Sequence, residues 1–225
     1  AHQWFGDNVT EKDWPHLWLS EGFATYMTAL YLESRYGRDS LKNLLTVQRS
    51  RVIGFSRHHE LPVVDTTEAG HLMDLLNDNS YQKGAWVLHM LRRKLGDTLF
   101  WKGIRTYYTN YYASNATTKD LEEVLEKVSH QNLEIFFKQW LFTPGQPSLK
   151  VTWTYNKNRK TVSVKIEQTQ DHLFEFPLQI SFSDGSKSVT KTIEVKNKMT
   201  QKDFPISFSA NQIIIDPNVN LLFDL

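Results

Sequence analysis

The sequence predicts an α+β protein whose two kinds of structure are segregated along the chain, a helical part first and an antiparallel β-sandwich second. Three observations predict it. Through much of the stretch up to Phe142, apolar residues recur three and four apart, the period of a helix with one buried face. After Pro147 the period falls to two, beginning with Leu149, Val151, Trp153 and Tyr155, as in a strand buried on one side. Between the two, Thr143-Pro144-Gly145-Gln146-Pro147 fits neither period. A boundary is therefore expected near Gly145–Pro147, with a helical domain over 1–145 and a β-sandwich domain over 146–225.

The elements follow in order. His2 to Gly6 reads as a helix end stopped by Gly6, and Asp7 to Lys12 as a polar loop. Asp13 is a candidate N-cap and Pro15 a first-turn residue for a helix from about Trp14 to Tyr36, closed by Gly37. Glu21 then falls about two turns in. Ser40 to about Phe55 is a second amphipathic stretch. Arg57 to Ser80 is rich in turn formers and reads as a loop with one short helical turn near Leu72–Leu76. Tyr81, Ala85, Leu88, Leu91 and Leu95 mark the next helix, closed by Gly96 and with Arg92, Arg93 and Lys94 complementing its C-terminal dipole. Asp97 starts a helix to about Tyr112. Thr117 and Asp120 resemble a capping box for Leu121–Ser129, and Leu133 to Phe142 is a last short helix.

In the second part, Leu149–Tyr155 and Val162–Ile166 read as strands joined by a turn at Asn156–Arg159. Further strands are expected over Phe174–Phe182, Val189–Val195, Phe204–Phe208 and Gln212–Ile215, with a turn at Ser183-Asp184-Gly185.

Composition excludes several classes. The chain is 40% hydrophobic and 13% aromatic, which is incompatible with a disordered segment. Net charge is +1, and no basic run exceeds Arg92-Arg93-Lys94, so nucleic acid is not expected as a partner. No run of eighteen apolar residues is present, so no membrane-spanning segment is expected. With no Cys, disulfides, thiolate metal sites and a Cys nucleophile are excluded. The composition fits any compartment and any oligomeric state.

The chemistry sits near the start. His2 and Glu21 are separated by eighteen residues. That spacing alone says little, because such pairs are usually a packed His and a solvated Glu. The surrounding residues say more. Ala1-His2-Gln3-Trp4-Phe5-Gly6, Trp18-Leu19-Ser20-Glu21-Gly22-Phe23-Ala24 and Ser80-Tyr81-Gln82-Lys83-Gly84 together resemble the zinc aminopeptidases of the aminopeptidase N type. These are the gluzincin group with H-E-x-x-H-x18-E. Trp140, Gly145, Pro147 and Ile214-Ile215-Asp216-Pro217-Asn218 extend the resemblance through the chain.

The resemblance implies the helical C-terminal half of a thermolysin-like catalytic domain followed by the sandwich. It implies one Zn2+ ion with His2 and Glu21 among its ligands, and Tyr81 as a catalytic hydrogen-bond donor to the oxyanion. The implied reaction is hydrolysis of the N-terminal bond of a peptide substrate. The motif's first His and its general-base Glu would fall before Ala1. The chain is thus expected to be truncated within the zinc motif, to hold zinc weakly or not at all, and to be inactive alone. The rival is a non-catalytic, peptidase-like binding or scaffold protein; the presence of His2, Glu21 and Tyr81 together speaks against it. His58-His59-Glu60 reads as a solvated loop and His16 as structural. Gly84, costly inside a helix, suggests the close approach of a neighbouring backbone.

Overall fold

Helix α1 (Trp18–Tyr36) and helix α2 (Arg38–Ser56) are divided by Gly37 alone, whose φ of 87° is foreign to a helix. Helices α3 (Gly84–Leu95) and α4 (Asp97–Asn110) are divided the same way by Gly96 at φ 78°. These elements belong to a computed structural model that describes residues 1–67 and 72–225. Helix α5 (Thr118–Ser129) opens on the expected capping box: Asp120 N–H donates to Thr117 Oγ1 at 3.3 Å, and Thr117 N–H donates to the Asp120 carboxylate at 2.7 Å. Helix α6 (Glu134–Phe137) runs on into a π-helical turn, Lys138–Phe142.

The core follows from which faces are apolar. Helix α1 packs on α2 and α3, and α4 packs on α5. Trp18, Phe23, Tyr26, Trp86, Phe100 and Tyr107 are all buried, and large side chains of this kind each contribute about 2–3 kcal/mol by leaving water. Helix α3 is buried along nearly its whole length, Arg92 included. The Arg92 guanidinium is held by Glu33 at 2.7 Å and Asp97 at 2.9 Å, which satisfies a charge that burial would otherwise make costly.

His2–Gly6 forms one turn that Gly6 stops as expected, with Phe5 N–H on Ala1 O at 3.2 Å and Asp7 N–H reaching back to His2 O at 2.9 Å over Gly6 at φ 121°. Beyond it the opening differs from expectation in two places. Asp7–Lys12 is not all loop: strand β1 (Val9–Glu11) lies parallel to β2 (Ser114–Ala116). Three residues with one apolar side chain carry no readable period. Asp13 caps nothing with its side chain; a 3₁₀ turn over Trp14–His16 intervenes, and α1 starts only at Trp18. Pro15 has no N–H to give, and the turn closes with three-residue bonds, His16 N–H to Asp13 O and Leu17 N–H to Trp14 O. Glu21 therefore lies in the first turn of α1, not two turns in. The short turn expected near Leu72–Leu76 is a 3₁₀ helix at Leu72–Leu75.

The second part holds β3 (Leu149–Asn156), β4 (Thr161–Gln168), β5 (Phe176–Ser183), β6 (Ser188–Val195), β7 (Met199–Pro205) and β8 (Gln212–Ile215). They form two antiparallel three-stranded sheets, ordered β3-β4-β7 and β6-β5-β8. Val162, Val164 and Ile166 of one sheet and Phe176, Leu178, Ile180 and Phe182 of the other are buried, the period-two face the sequence carries. Phe182 meets Phe204 across the sheets with ring centroids 5.6 Å apart. The strand expected at Phe204–Phe208 lies earlier, at Met199–Pro205. It is an edge strand whose polar Thr200, Gln201 and Lys202 have no need of an apolar alternation.

The chain divides into two compact units, Ala1–Gly145 and Gln146–Leu225. Among the described residues no helix is long and apolar enough to cross a membrane.

Candidate active site

Two aromatic rings fix the opening turn to α1. Phe5 stacks on Phe23 with centroids 4.4 Å apart, and both lie against Tyr107. His2 is three residues before one of those rings, and Glu21 two residues before the other. The result is that His2 Nε2 stands 3.5 Å from Glu21 Oε2. The imidazole is 52% exposed and the carboxylate 15%, so a solvated ion can reach the pair. Glu21 also sits at the N-terminal, electropositive end of α1. Next to it, Ser20 Oγ donates to the Glu11 carboxylate, fastening β1 to the start of the helix.

Tyr81 comes from a different element. It lies in a π-helical turn, Asn79–Lys83, that leads into α3. Lys83 N–H reaches back five residues to Asp78 O at 2.9 Å, the wider spacing that defines such a turn. The Tyr81 phenol lies near Glu21. Burial raises its pKa above the ordinary value, and the neighbouring Glu21 carboxylate pushes the same way. The phenol is therefore protonated at neutral pH.

The two elements touch backbone to backbone just beyond these residues. A Cβ placed on Gly22 would fall 3.0 Å from the Gly84 backbone and 3.2 Å from Ser80 O; one on Gly84 would fall 3.1 Å from Gly22 Cα. The close approach that a mid-helix Gly84 suggested is this contact. It lets Glu21 and Tyr81 share a site.

The structure thus brings His2, Glu21 and Tyr81 together, while the other histidines among the described residues lie elsewhere. His58, His59 and Glu60 are exposed, with His59 stacked on Phe55 at 4.6 Å. His16 Nδ1 lies 2.9 Å from Thr118 Oγ1, and burial holds its pKa below the usual value. His89 is buried beside the Tyr26 hydroxyl at 3.2 Å. His71 lies outside the described residues. Among the described residues, no group of three or more His, Asp or Glu side chains is arranged to hold a metal ion.

Two buried polar groups beside the site escaped the sequence reading, Asn79 and Lys83. The available signal was a lysine and a glycine opening a run, Ala85-Trp86-Val87-Leu88, that is buried on every side.

The His2–Glu21 pair has the dimensions of one edge of a zinc site. Zinc holds imidazole nitrogen and carboxylate oxygen at about 2.0–2.2 Å in a tetrahedron, which places two ligand atoms about 3.4 Å apart. The observed separation is 3.5 Å, and the donor types suit the metal.

Comparison with known proteins gives the family. The profile of the Peptidase family M1 domain matches residues 1–140. The chain is 32% identical to Aminopeptidase M1-D of Oryza sativa subsp. japonica, over 95% of this chain and 23% of that protein. It is 31% identical to Aminopeptidase N of Lactococcus lactis subsp. lactis, over 88% of this chain and 24% of that protein. The chain thus spans about a quarter of the length of these relatives. Its fold is similar to that in a crystal structure of Legionella pneumophila aminopeptidase A in complex with aspartic acid, with a TM-score of 0.80 and 21% identity, covering 99% of this chain and 25% of that one. With a profile match running through both the His2–Glu21 segment and the Tyr81 turn, the chain belongs to peptidase family M1.

Proposed function

We propose that this chain is part of a zinc aminopeptidase, with the helical half of a thermolysin-like catalytic domain over 1–145 and a β-sandwich domain over 146–225. The observation that carries the reading is the convergence of His2 Nε2, the Glu21 carboxylate and the Tyr81 phenol from separate elements. The aminopeptidase names of its relatives support it. His2 would supply an imidazole nitrogen to the metal and Glu21 an oxygen; zinc held there would polarise the scissile carbonyl and lower the pKa of a water molecule. Tyr81, kept protonated, donates a hydrogen bond to the oxygen on which negative charge develops. The substrate is a peptide with a free amino terminus.

The sequence contains no complete H-E-x-x-H, and two donors do not close a tetrahedral site. The 225-residue chain alone accordingly holds zinc poorly and is inactive. Two measurements test the reading. The whole protein should release amino-terminal residues from aminoacyl-p-nitroanilides, lose that activity to a chelator and regain it with zinc. The 225-residue chain should retain well below one zinc after dialysis and release nothing. A whole protein with no such activity overturns the enzymatic reading. Stoichiometric, chelator-resistant zinc on the short chain, or turnover by it, overturns the reading of that chain as incomplete.

A further inference from the structure

The π-turn that carries Tyr81 is pinned by buried side chains that hold backbone carbonyls of separate segments. Asn79 Nδ2 donates to Leu61 O at 2.9 Å, and Ser80 Oγ donates to Leu75 O. Lys83 Nζ donates to Gly145 O at 2.6 Å, across 62 residues of sequence. All three side chains are buried, Lys83 to 1% exposure. A buried lysine normally has a carboxylate for company. This one has a single neutral carbonyl among the described residues, at the last position of the helical unit.

We propose that Lys83 is a positioning residue for Tyr81: through Gly145 O it holds the π-turn in the form from which the phenol reaches Glu21. The proposal rests on the zinc aminopeptidase reading for its kinetic consequence. Three features carry it. The turn is wider than an α-helix, a form that is rare and depends on its surroundings. Lys83 provides both ends of its closure, since its N–H makes the five-residue bond to Asp78 O and its ammonium reaches Gly145. The next residue, Gly84, is the one whose backbone meets Gly22, so a shift at Lys83 moves the contact that sets Tyr81 against Glu21. Burial, with no counter-charge among the described residues, pushes the amine down to about 7, a sign that the fold keeps this group at a cost in stability.

The test is a double-mutant cycle in the zinc-loaded whole protein, with Lys83→Met and Tyr81→Phe alone and together. Lys83→Met is expected to lower kcat about tenfold with KM changed less than about twofold, because misplacing a catalytic group costs rate more than binding. In the Tyr81→Phe background the same substitution is expected to add nothing, since no phenol remains to be positioned. A second reading needs neither metal nor turnover. In the metal-free 225-residue chain, the NOE between the Tyr81 ring and the Glu21 side chain should be present in the native sequence and lost in Lys83→Met.

A Lys83→Met effect that persists at full size in the Tyr81→Phe background, an unchanged kcat, or an unchanged NOE overturns the positioning role. If Tyr81→Phe by itself leaves kcat unaltered, the catalytic reading of Tyr81 fails instead, and the NOE still decides whether Lys83 places the ring. Should Lys83→Met not fold, Lys83→Arg, which keeps a donor but cannot keep the same geometry on an unmoved backbone, carries both measurements under the same criteria.

Discussion

In the proposed site a phenol and a neighbouring carboxylate divide the work between them: Glu21 would offer oxygen to a cation, and Tyr81 hydrogen to the developing oxyanion. Burial and the neighbouring charge both raise the Tyr81 pKa above its ordinary value, so the phenol stays a donor throughout the neutral and mildly alkaline range. Tyr81→Phe in the whole protein is expected to lower kcat by about 10²–10³ with little change in KM, the usual cost of one lost oxyanion donor. Steady-state kinetics on a peptide analogue checks it; a KM effect without a kcat effect would make Tyr81 a binding group. Glu21→Gln removes the anionic ligand and is expected to abolish zinc retention in the whole protein, measured by metal analysis after dialysis. At this scale His2, Glu21 and Tyr81 stand out in the sequence because each sits in a distinctive run of residues. Lys83 sits in the same run as Tyr81 and was not read, because a lysine in a sequence is ordinarily a surface group. Only in the fold do the neighbouring segments close over it.

The same substitution has opposite consequences in two helices, which separates close approach from helix propensity. Gly54 in α2 has nothing within 4 Å of where a Cβ would stand. Gly54→Ala is therefore expected to stabilise the helical unit by about 0.5–1 kcal/mol, since glycine is the poorer helix former. Gly22 in α1 is also helical, but its Cβ would meet the Gly84 backbone at 3.0 Å. Backbone cannot swing aside as a side chain can, and Gly22→Ala is expected to destabilise by about 1–3 kcal/mol. Thermal unfolding followed by helical circular dichroism reads both, and a Gly22→Ala as stable as Gly54→Ala would disprove the backbone contact. Elements were legible where a period ran for two turns or more, as in α3, or where a cap had a specific chemistry, as at Thr117 and Asp120. They were misplaced where a local rule met a tertiary demand. Asp13 looked like a cap, but Pro15 made a 3₁₀ turn and delayed the helix to Trp18. Strand β1 exists because it pairs with β2 about a hundred residues on, and no local period records such a pairing.

For the molecule as a whole, the change of period after Pro147 sufficed for the fold class, because a sheet and a helix bury side chains at different intervals whatever their partners. What periodicity leaves out is the cost of the polar groups that the core encloses, and Lys83 is the sharpest case. Its ordinary pKa is 10.5 and burial pushes it down to about 7. Between those values the unfolded chain binds a proton that the folded chain does not. Stability must therefore rise with pH in this window and be lost as pH falls toward 7, by at most about 1.4 kcal/mol per pH unit from this group. Tyr26 acts in the opposite sense at higher pH: burial raises it to about 12, so its contribution declines once the pH passes about 10. The useful range is therefore pH 7.5 to 9.5. Over it the helical unit's unfolding midpoint in the native sequence should climb relative to that of Lys83→Met, which has no proton to lose. Parallel curves for the two proteins would mean that the amine is solvated and ordinary in the folded state. A native curve that climbs relative to that of Lys83→Met would identify one buried amine as a source of the pH dependence of the whole helical unit.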